Sequence, residues 1–310
     1  MISTTVIPAM DIGGTHVTAA YVDLGTRAVL PGHSFREPLD SRAGAEEIVA
    51  ALVACASRLD ARDAGGWAIA LPGPFDYEQG VGRYANVGKF DALNGYDLRA
   101  ALSRQLPGAD ADRMSFHNDA HAFLLGEWWA GSARGHRTAV GLTLGTGVGS
   151  CFLRDGQVQL SGPGVPPEGR VDLLRHEGKP LEETISRHAI RRAYARAVAT
   201  PTAPDVREIA QRAGRGDLAA VGVFTQTFLT LGHLLGPCLA EFEASVLVVG
   251  GSIAASWDLI AEPLRGGLAD AAPRIVLAPA IHPNTAPLLG AAYLAQPAQS
   301  ARPAQVERLQ

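Results

Sequence analysis

Residues 10–23 read MDIGGTHVTAAYVD, and the apolar run Val6–Met10 leads directly into them. Val6–Met10 predicts a strand, and Gly13-Gly14 turns the chain. Val17, Ala19 and Tyr21 then fall on alternate positions up to Asp23, the period of a second strand. Gly25-Thr26 predicts another turn and Ala28–Phe35 a third strand, so the chain opens as a β-meander. The first turn presents bare backbone N–H groups beside the carboxylate of Asp11. With no Cβ in the way, such N–H groups can approach an anion closely. The carboxylate is accounted for if a Mg²⁺ stands between it and a phosphate, held mostly through water.

The same pattern returns later. Ala139–Leu144 predicts a strand, Gly145-Thr146-Gly147 a turn, Val148–Leu153 a strand, and Asp155-Gly156 a hairpin turn into Val158–Leu160. Mixed sequence follows each unit. After the first come a helix over Ala43–Leu59, a strand at Trp67–Leu71 closed by Pro72-Gly73-Pro74, and a helix over Leu98–Leu106. A short strand at Met114–Phe116 then ends in His117-Asn118-Asp119, ahead of a helix over Ala120–Ala130. After the second, 161–180 is loop-like. Helices are predicted over Leu181–Ala199, Val206–Arg215 and Val221–Phe242. A strand at Ser245–Val249 is broken by Gly250-Gly251 and leads to a helix from Ile253. Arg274–Ala278 is the last strand and Ala286–Ala295 the last helix. This duplication predicts an α/β protein of two similar lobes around a cleft. The expected limits are 1–117 for a small N-terminal lobe, joined by the C-terminal helix at about 286–297; 118–285 for a larger lobe; and 298–310 for a flexible tail.

The 310 residues exceed one average domain, and 47% of them are hydrophobic, enough for a sizeable core. The net charge of −4 comes with no basic patch, so nucleic acid is not expected as a partner. Cys55, Cys151 and Cys238 are far apart and odd in number, which suits buried thiols in a reducing cytoplasm better than a disulfide set. No segment holds the roughly 18 unbroken apolar residues of a membrane span, and the start lacks a signal-like pattern.

Gly145-x-Gly147-x-Gly149 fails as a dinucleotide fingerprint: its third Gly comes too early, and a strand follows where a helix must start. No Gly-x-x-x-x-Gly-Lys-Ser/Thr is present, which removes the P-loop. Taken alone, each glycine turn is an ordinary hairpin turn. Together, Asp11-Ile-Gly13-Gly14-Thr15 and Leu144-Gly145-Thr146-Gly147-Val148 supply amide and hydroxyl donors from each lobe for a triphosphate. Gly250, Gly251 and Ser252 form a strand-to-helix turn open to a planar base and ribose.

With Leu71-Pro-Gly-Pro74, Asn118-Asp119, Leu144-Gly-Thr-Gly-Val-Gly149 and Val249-Gly-Gly-Ser252, the opening Asp11-Ile-Gly-Gly-Thr15 completes an ordered set of five. In that order and spacing the chain resembles the ROK family of sugar kinases from about residue 6 to 295. The resemblance implies the two-lobed actin-like (ribonuclease H-like) ATPase fold, ATP and Mg²⁺, and phosphoryl transfer to the 6-hydroxyl of a hexose or aminohexose. It implies Asp119 as the general base, with the alternative that Asp119 caps the helix it opens; both can hold. Asn118 would bond a neighbouring ring hydroxyl. Gly73 and Asn86 lie in segments that reach the sugar in relatives, a plain turn being the other reading of Asn86.

Segment 161–186 departs from the family pattern of Glu-x-Gly-His, a cysteine-rich zinc loop and Leu-Glu. Here Glu168-Gly-Arg170-Val-Asp172 stands first, Leu181-Glu182 stands last, and Leu173–Pro180 between them holds no cysteine. No structural zinc is expected; a short hairpin turning at Glu177-Gly178 can replace the loop. Glu168 and Glu182 remain as acceptors for ring hydroxyls. Arg170, Asp172 or His176 stands in for the usual sugar-binding His. An inward Asp172 would add an anion and favour an ammonium group, as in kanosamine or glucosamine; an inward Arg170 would argue the reverse. Polyphosphate as donor is an alternative that the glycine turns do not separate. The family's transcription regulators carry a DNA-binding segment ahead of Asp-Ile-Gly-Gly. Only ten residues precede Asp11 here and they read as a strand, so that branch is not expected. Homodimers are usual among relatives.

Overall fold

The computed structural model describes residues 6–61 and 66–296; the tail expected over 298–310 lies outside them. β1 (Val6–Ile12), β2 (His16–Asp23) and β3 (Ala28–Pro38) are the opening meander, with Ile12 opposite Val17 across the first turn. α1 (Ala45–Ala56) follows. β4 (Ala68–Leu71) lies parallel to β1, with Asp11 beside Ala70. A small hairpin not foreseen from the sequence, β5 (Phe75–Asp76) with β6 (Val81–Gly82), precedes α2 (Leu98–Gln105). β7 (Ser115–Asn118) closes the first sheet in the order β3-β2-β1-β4-β7, and α3 (Asp119–Ala130) leaves it.

The second sheet repeats that plan. β8 (Thr138–Leu144), β9 (Val148–Arg154) and β10 (Gln157–Val158) are antiparallel neighbours. Asp155 (φ 51°) and Gly156 (φ 77°) make the tight turn between the last two, both in the left-handed region that such two-residue turns require. The expected hairpin about Glu177-Gly178 is present as β11 (Arg175–His176) and β12 (Lys179–Pro180).

The single helix predicted over 181–199 is two helices, α4 (Glu182–Ile185) and α5 (Arg187–Ala197). Ser186 is extended there (ψ 164°), and its hydroxyl accepts from the Ala189 N–H at 3.3 Å. A serine cap therefore restarts the helix inside an otherwise continuous apolar pattern. α6 (Val206–Gly214) and α7 (Leu218–Glu241) follow. β13 (Val246–Gly250) is parallel to β8. A 3₁₀ turn over Ser252–Ser256 then stands where an α-helix was expected from Ile253, ahead of α8 (Trp257–Leu268). β14 (Val276–Pro279) pairs parallel with β13, giving the order β10-β9-β8-β13-β14; α9 (Ala286–Leu294) comes last. In chain order, both sheets run third, second, first, fourth, fifth.

The chain divides into two units. One runs to His117 and resumes at Ala291; the other is Asn118–Gly290. Each has its own core. In the first, Met10, Val17, Leu52, Trp67 and Ile69 are sealed from solvent; in the second, Val140, Leu142, Phe152, Phe228 and Val249 are. α7 is long and apolar enough to cross a bilayer by length and composition alone, and 44% of that stretch is buried inside the protein. Phe224, Phe228, Leu231 and Leu235 lie in the second core. A Cβ on Gly267 of α8 would come 2.2 Å from the Leu229 carbonyl of α7, so the two helices touch backbone to backbone.

Candidate functional site

In the first unit, Gly13-Gly14-Thr15 joins β1 to β2. The Gly13 N–H donates to the His16 carbonyl at 2.9 Å, and the Thr15 carbonyl accepts from the Leu39 N–H at 2.9 Å. The Thr15 hydroxyl is 2.9 Å from His16 Nδ1. Asp11, half-buried, stands opposite Thr18 near the end of β1. Gly14 is informative because the fold does not require it. Its φ lies outside the left-handed region, and a Cβ built on it would find its nearest neighbour, Ser41 Oγ, at an unstrained 3.8 Å. Gly73 follows β4, before Pro74. Asn86 is exposed with φ 59°, a conformation Asn tolerates better than most residues, which accounts for it as a turn residue.

In the second unit, the Gly145 N–H donates to the Gly147 carbonyl at 3.0 Å across the turn carrying Thr146, and the Gly145 carbonyl accepts from the Arg187 N–H at 2.9 Å. A Cβ on Gly145 would lie 3.6 Å from Ser252 Oγ, again ordinary contact. Gly251 differs. Its φ is 83°, and a Cβ there would come 2.4 Å from the Leu144 carbonyl oxygen. The turn at Gly250-Gly251-Ser252 is thus pressed onto the end of β8 beside Gly145–Gly147. Glu182, at the start of α4, joins them: its Oε1 is 3.4 Å from where a Gly147 Cβ would be.

Asn118 and Asp119 open α3, and the cap is Asn118, not Asp119. Asn118 Oδ1 accepts from the N–H groups of Ala120 (3.0 Å) and His121 (3.1 Å). Asp119 is therefore the first helical residue, where the helix dipole favours an acid; its Oδ1 accepts from Ala120 N–H at 2.8 Å. Any ligand bond from Asn118 would come from the amide nitrogen, since the oxygen serves the cap. Burial pushes His121, on the same first turn, down to about 4, so its imidazole is neutral near pH 7 and brings no charge to that turn.

The loop 168–172 is pinned to β9 by a residue that sequence reasoning did not single out. Ser150, buried, donates its hydroxyl to the Gly169 carbonyl (2.7 Å) and accepts from the Val171 N–H (3.0 Å). Glu168 is exposed at φ 58°, a strained conformation for a glutamate. Arg170 and Asp172 grip each other: Nη2–Oδ2 is 2.7 Å and Nε–Oδ1 3.3 Å, with Glu168 3.8 Å from the same guanidinium. The bond to Asp172 raises the Arg170 pKa above its ordinary value. Asp172 thus has the Arg170 guanidinium as its ion-pair partner. His176 lies in β11.

Among the described residues, no group of three or more His, Cys, Asp or Glu is placed to hold a metal ion. A buried acid missed from the sequence, Glu127, accepts from three backbone N–H groups on α3's C-terminal side and in the loop after β14.

A family model described as "ROK family" matches residues 7–298. The glucokinase of Thermotoga maritima is 26% identical over 222 residues, 65% of this chain and 68% of that protein. The N-acetyl-D-glucosamine kinase of Escherichia coli O127:H6 is 35% identical over 147 residues; the match spans 47% of this chain and about half (46%) of that relative. Among solved structures, a ROK family glucokinase from Streptomyces griseus in complex with glucose and AMPPNP superposes with a TM-score of 0.75 at 25% identity, covering 93% of this chain and 98% of that one.

Proposed function

The chain belongs to the ROK family, and on that premise we propose that it is an ATP-dependent kinase acting on the 6-hydroxyl of a glucose-like hexose or aminohexose. The observation that carries the reading is the pair Gly14 and Gly145. Neither has a positive φ, and each has room for a Cβ, so neither glycine is demanded by the fold. What a side chain would obstruct is the approach of a ligand to the turn's N–H groups, and a phosphate chain is the ligand such turns suit. The turns at 13–15 and 145–147 are assigned to the phosphates, and Gly250, Gly251 and Ser252 to the base and ribose. Asp11 would hold Mg²⁺ through water, and the ion would supply charge neutralisation at the phosphates.

Asp119 takes the proton of the sugar hydroxyl while that oxygen bonds to the terminal phosphorus; the bond from phosphorus to the bridging oxygen breaks, and ADP leaves. Glu168 and Glu182 are assigned to ring hydroxyls. Because Arg170 neutralises Asp172, the site does not call for an ammonium group, and glucose or its N-acetylated relatives are preferred over a free amine. The test is kcat/KM for glucose, glucosamine, N-acetylglucosamine and kanosamine with ATP, repeated with polyphosphate. ATP-dependent turnover of a neutral hexose is expected. No turnover with any hexose overturns the kinase reading, a preference for amines overturns the charge argument, and polyphosphate outperforming ATP changes the donor.

Gly14→Ala sharpens the test. Its unfolding temperature is expected to stay within about a degree of wild type, while ATP binding weakens about tenfold, or about 1.4 kcal/mol. Gly251→Ala should instead lower the unfolding temperature, because its Cβ collides with Leu144. Undiminished ATP affinity in Gly14→Ala would remove the first turn from the nucleotide site.

A further inference from the structure

Ser41 is assigned no role by the family resemblance or by the reading above, and its surroundings are unusual. It lies between β3 and α1, only 8% exposed, yet among the described residues its hydroxyl has no hydrogen-bond partner. The hydroxyl itself is not sealed off, so in the ligand-free protein it is served by solvent. The hydroxyl is aimed at the first glycine turn, 3.8 Å from the Cβ position that Gly14 leaves vacant.

Its position is fixed from both sides by backbone bonds. Leu39 N–H donates to the Thr15 carbonyl at 2.9 Å, tying the segment before Ser41 to the turn. Phe90 N–H donates to the Ser41 carbonyl at 2.6 Å, tying Ser41 itself to the segment after Asn86. Between them, Asp40 Oδ1 accepts from Arg42 N–H at 2.9 Å and shapes the local bend. The main chain of Ser41 thus does the structural work, and the side chain takes no part in it.

The second unit offers an independent parallel. Gly145 faces Ser252 Oγ at 3.6 Å, although Ser252 is exposed and its hydroxyl meets solvent. A non-obligatory glycine facing a serine hydroxyl therefore occurs at both turns, although Ser41 and Ser252 follow different strands of their sheets.

We propose that the Ser41 hydroxyl donates a hydrogen bond to a phosphoryl oxygen of the donor nucleotide held at Gly13-Gly14-Thr15, making Ser41 a further donor-binding residue. This rests on the kinase reading. The bond of a neutral hydroxyl to an ionised phosphate belongs to the stronger class, and it replaces the solvent contact of the ligand-free protein.

The experiment is calorimetric titration of Mg-ATP, without sugar, into wild type and Ser41→Ala, together with melting curves of both. Ser41→Ala keeps every backbone bond, so its ligand-free melting temperature is expected to equal or exceed that of wild type. Its ATP dissociation constant is expected to rise about tenfold, and its ATP-induced melting shift to shrink accordingly. Equal ATP affinity in the two proteins overturns the proposal while leaving the kinase reading intact. A lower ligand-free melting temperature with unchanged affinity makes the serine structural and likewise overturns it. A wild type that binds no ATP overturns the kinase reading and, with it, this inference.

Discussion

Asp119→Asn is expected to lower kcat by about 10²–10⁴-fold, the range that a positioned general base contributes, while ATP affinity stays within about twofold of wild type. The substitution is clean for a structural reason. Asp119 is not the cap of α3; Asn118 is, and it keeps its bonds to Ala120 and Ala120's neighbour His121 when residue 119 changes. The carboxamide oxygen of Asn can also replace Asp119 Oδ1 as acceptor from Ala120 N–H, at 2.8 Å in the wild type. What it cannot do is take a proton near pH 7. The loss should therefore sit in kcat, with little change in melting temperature. Steady-state kinetics beside nucleotide titration separates these effects, and near-normal turnover would refute the base assignment.

That clean separation was only half legible in the sequence. Asn118-Asp119 at a strand end was visible, but which of the two caps the helix depends on backbone angles at one residue. Period-two patterning marked β2, at Val17, Ala19 and Tyr21, whereas β1, β8 and β9 were legible as apolar runs beside the repeated glycine turns because most of their residues are buried. The failures have equally local causes. Apolar spacing ran through 181–199 without interruption, and Ser186 broke it by a side-chain bond that periodicity cannot register. The two-residue strands β5 and β6 are too short to carry a pattern. Arg170 and Asp172 were read as rivals for one place, whereas their spacing of two lets them pair, which only the loop's path around Ser150 reveals. Ser41 and Glu127 escaped notice because their meaning lies in residues far along the chain: Ser41 faces Gly14, and Glu127 meets 281 and 282.

Glu127→Ala is expected to destabilise the second unit by about 3–5 kcal/mol, since orphaned buried donors cost about 1–3 kcal/mol each. Glu127 is fully buried in α3. Its Oε2 accepts from Ser132 N–H at 2.7 Å and Ile281 N–H at 3.2 Å, and its Oε1 from His282 N–H at 2.7 Å. One carboxylate thus closes the turn after α3 and fastens the loop that leads into α9. Alanine removes all three acceptor contacts and leaves a void. Glutamine keeps one oxygen but aims its NH₂ at a second donor, so it should lose roughly half as much. At about 2–4 °C per kcal/mol for a unit of this size, the alanine variant should melt about 6–20 °C below wild type. The consequence for chemistry follows from chain order: the helix that Glu127 anchors begins with Asn118 and Asp119, so the acid far from the reacting groups holds the segment that presents them. Well below its melting temperature, Glu127→Ala should keep far more of its kcat than Asp119→Asn. If instead it melts within about 1 °C of wild type, the three N–H groups find other acceptors and α3 is not held from this end.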